Sequence, residues 1–346
     1  MTAKTGKRLE NLDIAKGIGM FLVLWAHARG PHSRYIVNFH MPFFFLVSGY
    51  LHNSKSDFLT FTKKKAFSLY IPFVFWNYVF YIVRRIITDK PLSFETAMPL
   101  FRDIALTLEK DSGFGGATWF LGALFSVAVL FKLAEKILPD TEARPFLLLT
   151  FWTIAGIFSF TQVMPHNVHR TIMLGMFYGF GVFVRTYHDR FKKADGPGTA
   201  LIAVLLFVFI GHYNTASLGE NKYTNPLLFV FGACMASYAL IYFSGMIARF
   251  TFVKHIKDCL MFMGRRSIDI LIWHFWAFFL VSMAQAKLAG EQVVIEDLLR
   301  GGHRLYDPSH GKWFIFVIAG AVLPLLWGAF LRAGIWGKAL KKLHLV

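Results

Sequence analysis

The chain has 346 residues, 55% of them apolar and only 16% charged, and its mean hydropathy is +0.49. A soluble domain carries about 25% charged residues, so this composition excludes one and points to a membrane protein. The formal charge of +17 suits anionic lipid or an anionic substrate. Nucleic acid is set aside, because no basic stretch is interleaved with a soluble fold.

A membrane-crossing helix needs about 20 mostly apolar residues. Ten segments are candidates: 12–29, 36–52, 67–87, 117–137, 146–163, 169–187, 199–213, 225–246, 265–287 and 312–332. The first has no small-residue cleavage site behind it and is interrupted by Asp13 and Lys16, so it reads as a retained helix and not a signal peptide. The second is short and holds Pro42 and Gly49, which suits a broken or re-entrant segment enclosed by protein or water. With the N-terminus in the cytoplasm, the inner segments hold 23 of the 37 Lys and Arg and the outer ones 13, with Lys16 inside the first span. That bias supports cytoplasmic N- and C-termini. The outer loop 88–116 carries an excess of cations, which predicts an interfacial helix there or a misread span. The outer loop 288–311 is polar enough to border an acceptor site. KKADGPG at 192–198 is a linker. The expected fold is an all-α integral membrane protein, a bundle of about ten transmembrane helices forming one membrane-embedded domain over residues 1–346. A bacterial inner membrane is its expected location.

Ionisable groups inside lipid are expensive and rarely kept without a use. In the first span, Asp13 can pair with Lys16 at i,i+3. Lys16 and His27 are eleven helical steps apart, which is about 16 Å along the axis and within about 20° of three full turns. They therefore share one face, with Lys16 nearer the cytoplasm, a pattern that suits a long anionic donor entering from inside. His27 is either a general base that takes a proton from a hydroxyl in acyl transfer or an interface histidine with ordinary hydrogen bonds. His40, just before Met41-Pro42, can hydrogen-bond an acceptor or the backbone opened near Pro42. Ser48-Gly49 reads as a close helix-packing site, with Ser48 as nucleophile the weaker reading.

Farther along, Asn77 lies in span three and is expected to hydrogen-bond another helix. Trp119 follows the glycine-rich turn SGFGGATW, and either belongs to an aromatic belt or marks a close backbone approach to a ligand. His274, five residues after Asp269, lies in span nine as a site-lining or a structural histidine. Two cysteines exclude a disulfide framework, and Cys234 reads as a small buried residue. The pairs His166/His169 and His303/His310 lack a third ligand with a second shell, so no metal is expected.

LDIAKGIGMFLVLWAH and FHMPFFFLVSGYL closely resemble the opening of the acyltransferase-3 family of integral membrane O-acyltransferases, in particular the fucose 4-O-acetylase-like branch. KKKAFSLYIPF, TWFLGALF at 118–125 and GRRSIDILIWHF at 264–275 continue the resemblance in family order over most of the chain. The resemblance implies transfer of an acyl group, usually acetyl from acetyl-CoA as co-substrate, to a carbohydrate hydroxyl. It puts Lys16 at the arginine and His27 at the histidine of the family's Arg-x10-His pattern, with His27 as the catalytic residue. Lysine keeps the charge there but loses the bidentate fork. Some members repeat the pattern at span three. Here Lys65 holds the basic position, and Trp76 stands where those members have histidine. The expected donor contacts are Lys64, Lys65, Arg265 and Arg266 at the inner mouth, with Asp13 orienting Lys16. The rival reading is a carrier or flippase for a lipid-linked glycan, against which no clear inverted repeat is visible.

Overall fold

The computed structural model describes residues 9–110, 113–218, 221–250, 254–292, 294–299, 312–343 and 345. About 78% of it is helical, and its only strands among the described residues are a two-residue antiparallel ladder, Ala216–Ser217 with Lys222–Tyr223. In chain order the helices are α1 (Glu10–His27), α2 (Ser33–Val37), α3 (His40–Tyr50), α4 (Phe58–Lys65), α5 (Ile71–Ile87), α6 (Phe94–Arg102), α7 (Trp119–Ile137), α8 (Arg144–Ser159) and α9 (His166–Thr186). They continue with α10 (His188–Phe191), α11 (Pro197–Tyr213), α12 (Pro226–Arg249), α13 (Lys254–Arg265), α14 (Ser267–Ala289), α15 (Ile295–Leu299), α16 (Trp313–Arg332) and α17 (Gly334–Lys342). Each of the ten apolar segments read from the sequence contains a helix. By length and composition, four helical runs among the described residues can cross a membrane: Phe58–Ile87, Pro226–Arg249, Ser267–Ala289 and Trp313–Arg332. Leu201, Leu205 and Phe209 on α11 and Ile318, Leu326 and Phe330 on α16 all point outward. Apolar side chains in that number are not left to water, and the molecule is an integral membrane protein.

Span three is longer than its hydropathy suggests. Asp57 caps α4 by accepting the Thr60 N–H at 2.9 Å. A π-turn, Ala66–Tyr70, then joins α4 to α5. Its cause is Pro72, which has no N–H to offer the carbonyl four residues back, so the chain widens there without ending the helix. The loop 88–116 holds the nine-residue amphipathic helix α6, with Phe94, Met98 and Phe101 exposed. It is too short to be a missed span.

Close packing depends on small residues. A Cβ at Gly17 would lie 2.0 Å from the Leu260 carbonyl oxygen, and one at Gly264 would lie 1.9 Å from that of Asp13. The α1 and α13 backbones therefore touch, as small residues permit between membrane helices. Gly49 does the same for α3 against Tyr178 of α9, which fits the packing reading of Ser48-Gly49. Ser48 itself is half-buried.

Candidate active site

The far end of α1 holds a histidine pair whose tautomers follow from the network. His274, fully buried, places Nδ1 2.9 Å from the Ile270 carbonyl oxygen and 3.0 Å from that of Leu271. Carbonyls only accept, so Nδ1 carries the proton and Nε2 the lone pair. His27 Nδ1 lies 2.9 Å from that Nε2 and must donate to it. The basic lone pair of His27 is therefore on Nε2. The two rings are parallel, 5.0 Å apart at 3°, and Phe275 lies 5.0 Å from His27. His27 is half-buried while His274 is closed off, which is the arrangement of a base held in one tautomer by a partner behind it.

His40 completes this end. Its ring is 6.3 Å from that of His27, edge-on, and its Nδ1 donates to the Ile36 carbonyl at 2.8 Å. Its acceptor nitrogen is thus Nε2 as well. Just beyond His27 the chain turns sharply, with Arg29 at φ 53° and His32 at φ 59°, a left-handed region that non-glycine residues enter at some strain. The glycine-rich turn packs against Phe275. A Cβ on Gly116 would meet the Phe275 ring at 3.0 Å, so this turn needs glycine to lie flat against the residue that touches His27.

At the other end of α1, Asp13 is buried and takes Lys16 at 2.9 Å and Arg265 Nε at 3.1 Å. Beside them opens a cavity of about 730 Å³ between α4, α5, α14 and α16. Its mouth carries Lys63, Lys64, Arg265, Arg266 and Arg332 against one carboxylate, Asp269. That carboxylate is held by Arg332 Nη1 at 2.7 and 2.9 Å. Deeper, the walls are Pro72, Trp76, Ile272 and Trp273. A charged mouth leading to an apolar throat fits an anionic ligand with a long thin body.

Three of the four expected donor contacts, Lys64, Arg265 and Arg266, are on this cavity, and Lys63 joins them. Lys65 is not on its wall. Its ammonium lies 5.6 Å over the Phe61 ring, because successive lysines on a helix point about 100° apart. Lys16 is also off the wall and is linked to it through the carboxylate it shares with Arg265. Asn77 is fully buried and accepts from the Thr118 hydroxyl at 3.0 Å, tying α5 to the start of α7. Trp119 is buried with the Arg170 guanidinium 5.0 Å from its ring, so it is not part of a lipid-facing belt. His303 and His310 lie outside the described residues.

Sequence reasoning missed a second polar cluster. His52, in the loop after α3, lies with Nδ1 2.8 Å from the Tyr178 hydroxyl and Nε2 3.1 Å from Glu135. Lys132 donates to the same Glu135 oxygen at 2.6 Å and to the Ser54 carbonyl at 2.9 Å. All four side chains are buried. The one local signal was the opposite-charge pair Lys132 and Glu135 at i,i+3 inside an apolar helix.

A family model described as an acyltransferase domain matches residues 9–333. Neither a curated protein nor a solved structure matches the chain.

Proposed function

Because the chain belongs to the acyltransferase-3 family, we propose that it is a membrane O-acyltransferase that moves acetyl from acetyl-CoA to a hydroxyl of a carbohydrate, with His27 as general base. The observation that carries this reading is the His27–His274 hydrogen bond, which leaves the His27 lone pair on Nε2. In the proposed reaction the acceptor hydroxyl gives its proton to His27 Nε2 as its oxygen attacks the thioester carbonyl. The C–S bond then breaks, and the imidazolium returns the proton to the departing thiolate. His274 acts through His27: it accepts the Nδ1 proton's hydrogen bond and steadies the imidazolium while it carries charge. His40, whose ring lies 6.3 Å from that of His27, accepts a hydrogen bond from the acceptor through Nε2.

The cationic cavity supports the donor half. Coenzyme A carries several phosphate charges, which Lys63, Lys64, Arg265, Arg266 and Arg332 would neutralise at the mouth. Asp13 pairs with both Lys16 and Arg265, and Arg265 lines the cavity. The positive-inside bias of the sequence supports a cytoplasmic mouth for this cavity. Purified protein given labelled acetyl-CoA and a glycan acceptor should transfer label without any ion gradient. Transport of the glycan with no label transfer would instead favour the carrier reading.

A further inference from the structure

The donor cavity does not run straight to His27. On α14, Asp269, Ile272 and Trp273 share one face, and the cavity follows it from the Asp269–Arg332 ion pair to the Trp273 indole. His274 is the next residue, about 100° round the helix, so the dyad lies a quarter turn beyond the cavity's end. That end is closed by two indoles, Trp76 and Trp273, with centroids 4.8 Å apart at 70°. Trp273 is pinned from two further directions, by Phe80 at 5.2 Å and 89° and by Trp327 at 5.7 Å and 73°. Trp76 packs on Trp273 and on its neighbour Phe75, at 4.9 Å, and its Nε1 donates to the Leu345 carbonyl at 3.3 Å. Leu345 itself lies buried on the same wall, so the corner beside Trp76 accepts aliphatic groups.

We infer that Trp76 is the acyl-size filter of the donor cavity. The inference rests on the acyl-CoA reading above. A donor with its phosphates among the mouth cations directs its other end to the Trp76–Trp273 corner, the part of the cavity nearest His274. There the acyl group meets the two indoles that close the cavity. A chain longer than acetyl has to push Trp76 off Trp273 and loses an edge-to-face contact between buried rings. A single methylene in an apolar pocket is discriminated by about 10- to 200-fold, so one indole is enough to keep the donor short.

The test compares acetyl-CoA with butyryl-CoA in the full-length protein, reading both kcat/KM and Kd. In Trp76→Ala the butyryl-to-acetyl ratio should rise about tenfold or more, with a smaller rise in Trp76→Phe, which keeps an aromatic ring against Trp273. The ratio is internal to each preparation, so partial loss of folded protein cancels. Trp152→Leu, whose ring packs on Phe131 of α7 and does not line the cavity, should leave it unchanged. An unchanged ratio in both Trp76 variants overturns the filter. Loss of turnover with both donors in folded Trp76→Phe also overturns it, because a filter is dispensable for acetyl. If the wild type binds both donors and transfers neither acyl group, the acyltransferase reading fails while the Kd ratio still judges Trp76. If it binds neither, both fall.

Discussion

The molecule contains two buried histidine clusters built on opposite plans. His27 is half-buried, and its one proton-bearing nitrogen is committed backward to His274. His52 is buried on both sides, with Tyr178 at one nitrogen and Glu135 at the other. The first arrangement fixes which nitrogen donates and puts the His27 lone pair on Nε2. The second uses both nitrogens within the protein and ties the loop after α3 to α7 and α9. What separates the two is thus the partner: a second histidine fixes a tautomer, whereas a carboxylate and a phenol anchor a loop.

That contrast can be broken by substitution. His27→Ala should lower kcat by about a thousandfold or more with little change in melting temperature, since a positioned base contributes about 10²- to 10⁴-fold. Near-normal turnover of the purified variant would end the mechanism. His274→Phe should lower kcat by about a hundredfold while leaving the donor KM within twofold, because it frees the His27 tautomer without touching the cavity. Glu135→Gln should behave the other way. It strips the buried Lys132 of its counter-charge, which destabilises a folded protein by about 3 kcal/mol, and should drop the melting temperature while activity per folded molecule stays within twofold. Arg265→Gln should raise the donor KM about fivefold, with an effect that shrinks in high salt, and leave kcat alone.

The smallest expected effect is a pH dependence of stability. Burial pushes the His52 pKa below its ordinary value of 6.5, against an opposing pull from Glu135. The unfolded chain therefore binds the proton first, so the contribution of His52 is complete above about pH 6.5 and is lost as pH falls toward the folded-state value. The melting temperature should decline from pH 7 to pH 5 on that account, and His52→Gln should flatten the decline. An identical slope in the variant would show that other groups carry it.

Much of the candidate site on α1 was legible from local periodicity. Lys16 and His27 fall on one face by helical arithmetic alone, and Asp13 was placed on Lys16 by its i,i+3 spacing, as found. What could not be read was long-range pairing. His27 and His274 are 247 residues apart, and nothing local in either helix announces the other. The same holds for His52 with Tyr178, which are 126 residues apart. The lysine run failed for a subtler reason. Which of Lys63, Lys64 and Lys65 meets the cavity depends on how α4 rolls against α5, and the π-turn at Ala66–Tyr70 sets that roll. Hydropathy does not register such a turn. Trp76 stood out only as a departure from a pattern, and its neighbours gave it a place.

The pinning of α1 makes that helix a ruler. It is clamped at one end, where Gly17 and Gly264 bring its backbone onto α13 and Asp13 takes Arg265, and it carries the His27 imidazole at the other. Between the clamp and His27 only rise and phase are transmitted. One residue inserted after Val23 would advance His27 by about 1.5 Å and swing it about 100° away from His274. Four inserted residues would bring the phase back to within about 40° but set the ring about 6 Å too deep. The ten residues between Lys16 and His27 are therefore constrained in number even where their identity is free, and a spacing motif of this kind is a statement about length.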